Sequence, residues 1–211
     1  MQDIIQDLQQ YCKMHSTLPD EKLNDIERQT HLQTLAPRML SGHLQGSFLS
    51  LMSQLVAPIH VLEIGTFTGY SAICLAKGLQ ERGKVITIEY NEENAALAQE
   101  NFNHSIYKDK IQLLQGDAKE IIPTLDVIFD LVFIDADKES YQIYFDLVFD
   151  KCSKGALIIA DNVLWSGKVL DKNMDKKTAI IDTFNKNIFN NDQVENVIIP
   201  MRDGLNIIRK L

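Results

Sequence analysis

The chain has 211 residues, 45% hydrophobic and 24% charged, with a formal net charge of -8. Such a balance describes one soluble globular domain, excludes a disordered chain and argues against a broad phosphate-binding surface. No stretch reaches the ~18 apolar residues that a membrane span needs.

The three cysteines, Cys12, Cys74 and Cys152, form no CxxC pair. An odd count without that spacing suits a reducing cytoplasm, and Cys74 reads as core. The first residues show no basic start followed by an apolar run, so no signal peptide is expected.

Residues 2–14 repeat apolar positions at helical spacing, at Ile4, Ile5, Leu8, Tyr11 and Cys12. Pro19 and the acidic residues after it predict a second helix, whose Leu23, Ile26 and Leu32 are expected to dock on a domain. Pro37, Gly42 and Gly46 mark a loop, and a helix should run from about Leu44 to Val56.

From His60 onward strand and helix alternate. Strands are expected at "HVLEI", "KVITIE", "IQLLQ", "FDLVFID" and "GALIIAD", with helices between them. One helix should span Gly69–Gln80, and Asn91 should cap the next. The polar residues 166–177 are expected to form a mobile loop before another helix. The chain closes on "VENVIIP" and "GLNIIRK", a hairpin around "MRDG". Repeated βα units call for a parallel sheet with helices on both faces. The expected fold is therefore α/β, with seven strands that are parallel except for the last. Residues 1–211 should form one domain, with 1–43 as an N-terminal helical extension.

The stretch "VLEIGTFTGYS" carries the first chemical signal. In open α/β sheets ligands bind beyond the carboxyl ends of the strands. Gly65 and Gly69 allow a tight turn and a close ligand approach there. The spelling is not GxGxxG: Phe67 stands where a dinucleotide motif needs its second glycine, and a Walker A lysine is missing. Glu63 lies within the strand, and Glu89 ends the next one. A carboxylate at the position of Glu89 can accept hydrogen bonds from both hydroxyls of a ribose. A nucleoside without phosphate and with a cationic sulfur suits such a site, and S-adenosylmethionine (SAM) is that ligand.

The second signal is acidic. Asp135 follows "DLVFI", and Asp161 and Asn162 follow "ALIIA". Three oxygen ligands converging on one open edge of the sheet suit a hard cation such as Mg²⁺. There is no His/Cys cluster to favour zinc.

These segments carry a resemblance. "ERQTHLQTLAPRMLSGHLQG", "VLEIGTFTGYSA", "ITIEYN", "GDAKEIIP", "FIDADKESY", "DNVLWSGKV" and "RDGLNI" together resemble the metal-dependent O-methyltransferases of the caffeoyl-CoA and catechol type, in their bacterial branch. The likeness runs from about Glu27 to Leu211 and implies a Rossmann-like class I methyltransferase fold. It implies Asp135, Asp161 and Asn162 as metal ligands, and Lys138 as general base beside Asp135. It implies Glu89 on the ribose, and Glu63, Gly65, Phe67 and Ser71 around the methionine end. Met39 and Ser41 match a segment that closes over the cofactor, Asp117 and Ala118 match the adenine-side turn, and Asp135 also borders the cofactor. Asp137 stands where mammalian catechol enzymes carry a tryptophan.

The implied substrate is a vicinal diphenol, catechol-like or caffeoyl-type. A tRNA hydroxyuridine is the alternative, with Lys168, Lys172, Lys176 and Lys177 as its basic surface, and a SAM-binding protein without catalysis is the third reading. His31 and His43 read as structural. Trp165 reads equally as a wall of the substrate slot or an anchor of its loop. The apolar faces of the extension predict a homodimer.

Overall fold

The computed structural model describes residues 2–211, without the side chains of residues 2, 3, 5 and 6. Met1 of the expected domain lies outside the described residues, as does the side chain of Ile5 of the expected apolar stripe. The extension holds α1 (Gln2–Met14) and α2 (Glu21–Gln33), then a short 3-10 turn at Pro37–Met39. Asp20 caps α2 by accepting the Leu23 N–H at 3.0 Å. Leu23 and Ile26 are buried as expected, but Leu32 is 74% exposed. The third inward position of α2 is Thr30, whose hydroxyl meets that of Thr68 at 2.8 Å.

The remaining elements are α3 (Gly42–Val56), β1 (His60–Ile64), α4 (Tyr70–Ala76), β2 (Lys84–Glu89), α5 (Glu92–Asn103), β3 (Ile111–Gln115) and α6 (Ala118–Thr124). There follow β4 (Phe129–Ile134), α7 (Tyr141–Phe149), β5 (Cys152–Asp161), α8 (Lys176–Phe189), β6 (Val194–Ile199) and β7 (Leu205–Lys210). Asn91 caps α5 through the Asn94 N–H, as its residue type predicts. α4 is shorter than expected and ends at Ala76.

The seven strands lie in the order β3-β2-β1-β4-β5-β7-β6. All neighbouring pairs are parallel except those made by β7, the one reversed strand. The chain lays strands outward from β1 to β3 and then returns to place β4 on the other side of β1. This reversal opens a crevice at the carboxyl ends of β1 and β4.

Alternation along each strand builds two apolar layers. Leu62, Ile64, Val132 and Ile158 pack with Ile122, Phe145 and Phe184 on one face. Val61, Val85, Phe133 and Ile159 pack with Leu49, Ile73 and Phe102 on the other. Cys74 lies fully buried in the second layer, as expected.

The segment expected to be a mobile loop is partly wound. Trp165–Leu170 forms a 3-10 segment with a kink at Ser166 and Gly167, and α8 starts at Lys176. Asp175 caps α8 through the Thr178 N–H at 2.8 Å, which draws the helix start into the polar run.

Candidate active site

The strand register gathers the acidic residues. Glu63 pairs with Thr87 across β2 and with Phe133 across β4, and Phe133 pairs with Ile159. Period two then carries the same face from Thr87 to Glu89, from Phe133 to Asp135 and from Ile159 to Asp161. Four carboxylates thus project toward the α3–α5 side, at the carboxyl edge of four neighbouring strands.

Gly65 and Gly69 turn with φ of 100° and 88°, where side chains are disfavoured. The space that each leaves is filled by protein. A Cβ at Gly65 would stand 2.0 Å from the Asp135 carbonyl oxygen, and one at Gly69 would stand 2.5 Å from the Phe102 ring. The glycines therefore serve close packing of β1 on the β4 turn and of the loop on α5. Phe67 takes a left-handed φ of 51° and donates its N–H to Glu89 Oε2 at 2.8 Å. The Asn91 N–H donates to Oε1 at 2.9 Å. Glu89 thereby fixes the glycine loop, and each of its oxygens keeps a further lone pair.

Glu63 is fully buried. Thr87 donates to its Oε2 at 2.5 Å, and Oε1 has no hydrogen-bond partner. Burial pushes the carboxyl up to about 8, against the stabilising hydroxyls of Ser71 and Thr87. An orphaned buried oxygen beside the glycine loop is suited to a cationic donor.

Asp135 lies just past the end of β4, and Asp161 is the last residue of the adjacent β5. Lys138 Nζ sits 2.8 Å from Asp135 Oδ1, with only 14% of its side chain exposed. Asp137 caps the turn that carries Lys138, accepting the Ser140 hydroxyl at 2.9 Å. Asp161 is buried, which corrects its expected place on an open edge. Its Oδ2 accepts from Gln45 Nε2 at 2.6 Å, and its Oδ1 accepts from the Asn162 N–H at 2.6 Å. The Tyr141 hydroxyl donates to the Asp161 carbonyl at 2.9 Å and pins the strand end. Asn162 holds a left-handed φ of 57°, a conformation asparagine tolerates better than most residues.

Among the described residues no three His, Cys, Asp or Glu side chains form a metal-holding group. The expected set is two carboxylates and one amide, and two observations fit it to a cation. Burial, then the charge of Asp135, raise the affinity of Asp161 for a proton, against the Gln45 amide and the Lys138 ammonium, which is paired with Asp135 and not with Asp161. Gln45 Oε1 is buried without a hydrogen-bond partner. An all-oxygen donor set suits a hard divalent ion.

The remaining expected residues are spread around this edge. Asp117 is the N-cap of α6 and accepts the Lys119 N–H at 2.9 Å, with Ala118 buried beside it. Ser71 lies buried in the first turn of α4. Met39 is largely exposed and Ser41 is buried, on either side of Leu40. His43 reaches the Thr17 carbonyl at 2.7 Å, a partner that ties α3 to the extension, and His31 is exposed. Trp165 is half-buried with a φ of 47°. Sequence patterns did not single out Gln45 or Tyr141. A glutamine on an apolar helix stretch and a tyrosine opening the helix after "FIDADKES" are the only signals that could have found them.

Comparison with known proteins fits this geometry. The O-methyltransferase family model matches residues 13–211, and the chain belongs to that family. It is 43% identical over 133 residues to a catechol O-methyltransferase of Niastella koreensis, a match covering 61% of this chain and 60% of that protein. The matched stretch is thus less than two thirds of that relative's length. It is 31% identical over 182 residues to caffeoyl-CoA O-methyltransferase 1 of Eucalyptus globulus, covering 79% of this chain and 73% of that one. Its fold superposes with a TM-score of 0.90 on the O-methyltransferase from Bacillus cereus in complex with SAH, at 29% identity and 97% coverage of each chain. Among the described residues no helix is long and apolar enough to cross a membrane.

Proposed function

We propose that the chain is a SAM-dependent, divalent-metal-dependent O-methyltransferase that methylates one hydroxyl of a vicinal diphenol. One observation carries the reading: Asp135, paired with Lys138, and the buried Asp161 stand at adjacent strand ends beside the glycine loop that Glu89 fixes.

A phenol ionises near pH 10, so at pH 7 roughly one molecule in a thousand is a nucleophile, a handicap of about 4 kcal/mol. A divalent ion held by Asp135, Asp161 and Asn162 would supply Lewis acidity that favours the phenolate. Lys138 Nζ, in the neutral form left when it gives up its bond to Asp135 Oδ1 and releases a proton to solvent, would accept the phenol proton. Glu89 would take the ribose hydroxyls on its free lone pairs, and Glu63 Oε1 would accept the amino group of the methionine end. Ser71 would bind its carboxylate, Asp117 and Ala118 would border the adenine, and Met39 and Ser41 would cover the cofactor. A tRNA substrate is the less supported alternative, because Lys168 of the basic run is paired with Asp175 at 3.7 Å.

The test is methyl transfer from labelled SAM, with Mg²⁺, to vicinal diphenols, caffeoyl-CoA and hydroxyuridine-containing tRNA. Transfer to a diphenol or caffeoyl-CoA upholds the reading; transfer to tRNA alone replaces its substrate, and label on no acceptor rejects it.

A further inference from the structure

The turn between β6 and β7 places an arginine in a strained backbone conformation. Gly204 supplies one left-handed residue, with φ 88°, and Arg202 supplies another at 52°. Glycine would hold that second position without penalty. What the arginine adds is its guanidinium. It donates to the Leu40 carbonyl at 2.7 Å, to the Ser41 carbonyl, and to the Arg38 carbonyl at 3.2 Å. Three convergent acceptors suit the planar fork of arginine and not the single ammonium of lysine.

The other side of the same turn grips a different loop. The Ser166 N–H donates to the Asp203 carboxylate, and the Leu164 N–H donates to the Asp203 carbonyl at 2.9 Å. The Val163 N–H donates to the Gly204 carbonyl at 3.1 Å. A Cβ at Gly204 would stand 2.3 Å from Leu164 Cγ, so the turn presses on that loop. One segment leads into α3, where Gln45 meets Asp161. The other begins one residue after Asn162.

We infer that Arg202 is a positioning residue that clasps residues 38–41 over the cofactor and, through Asp203, couples that segment to the loop after β5. The inference rests on the SAM reading above, in which Met39 and Ser41 cover the cofactor. Arg202 itself touches only carbonyl oxygens of the closing segment, so its effect passes through that segment.

The experiment compares the full-length wild-type chain with Arg202→Gly and Arg202→Lys. Glycine relieves the left-handed residue but gives up the guanidinium's hydrogen bonds, so Tm should fall by no more than a few degrees. SAH affinity, measured by calorimetry, should weaken about tenfold, as for the loss of charge-assisted hydrogen bonds. Hydrogen exchange should speed up at residues 38–42 and 163–167, and lysine should recover only part of both effects. A wild-type dissociation constant for SAH in Arg202→Gly overturns the link to the cofactor, and unchanged exchange at 38–42 overturns the clasp. Failure of the wild-type chain to bind SAH overturns the cofactor reading, and with it the claim that the segment covers SAM. The exchange measurement then still decides whether Arg202 holds the segment.

Discussion

Gln45 donates its amide Nε2 to Asp161 Oδ2 at 2.6 Å, and both side chains are buried. The pair spans 116 residues of sequence and joins α3 to the end of β5. This donor offsets part of the burial that drives Asp161 toward its protonated form. Replacing Gln45 with Leu should therefore leave Asp161 more fully protonated at pH 7. Divalent-ion affinity, followed with Mn²⁺ by electron spin resonance, should fall by about tenfold, a loss of one buried hydrogen bond to a charged group. Equal Mn²⁺ affinity in the two proteins would separate Gln45 from the acid pair.

Glu63 predicts a pH dependence of stability. Its folded value of about 8 lies above the ordinary 4.5. Between those values the native chain binds a proton that the unfolded chain has released, so unfolding gains as pH rises. The stabilisation is complete below pH 4.5 and is lost as pH passes through about 8. Urea unfolding at pH 5 and pH 9 should show Glu63→Gln losing less stability than wild type, by on the order of 3 kcal/mol. Parallel pH curves for the two proteins would mean that Glu63 is not protonated in the fold.

Glu89 has two duties, and the variants should separate them. Its oxygens hold the Phe67 and Asn91 N–H groups, so Glu89→Ala should loosen the loop and lose cofactor binding together. Glu89→Gln keeps one oxygen acceptor. It should weaken SAH binding by about 1.5–3 kcal/mol, the range for a hydrogen bond to a charged group, and lower Tm less than Glu89→Ala does, since its amide nitrogen gives up only one of the two N–H contacts. A dissociation constant equal to wild type in Glu89→Gln would remove the ribose role.

The extension makes a quaternary prediction. Ile4, Leu8, Tyr11 and Met14 of α1 are all more than half exposed, although they recur at helical spacing. A second copy of the chain is the proposed cover. Sedimentation at micromolar concentration should give a dimer, and deletion of residues 1–14 should give a monomer. A monomeric full-length chain at that concentration counts against the pairing.

The alternating layers were legible because the central strands are short, mostly apolar runs bounded by glycine or polar residues. β4 shows this best, with "DLVFI" almost wholly buried. Leu32 falls outside the helical period of the inward positions. It stands nine residues after Leu23, which at 100° per residue is about half a turn, on the opposite side of α2. Thr30, at seven residues, was the inward position, hidden by its polar side chain. The acidic strand ends could be read from spacing, but their burial could not. Asp161 is enclosed by Gln45 and Arg202 reaches residues 38–41 only through tertiary folding, across 116 and more than 160 positions. Local patterns do not encode pairs at such distances.

The metal reading gives the last prediction. Asp161→Ala would leave Gln45 Nε2 without its partner inside the protein, so that variant mixes a lost ligand with a packing fault. Asp161→Asn keeps the side chain's size and one oxygen, and removes the charge that a divalent ion needs. It should fold with a Tm close to wild type and bind SAH within about twofold, because the ribose and methionine contacts proposed above are assigned to Glu63, Ser71 and Glu89, on β1, α4 and β2. It should lose Mn²⁺ binding and all methylation of a vicinal diphenol, since an octahedral oxygen site depends on its charged ligands. Chelation of the wild-type chain should reproduce the loss of transfer, and added Mg²⁺ should restore it. Full transfer in excess chelator would show that these residues serve some purpose other than holding a metal. Loss of SAH binding in Asp161→Asn along with the metal would show the same.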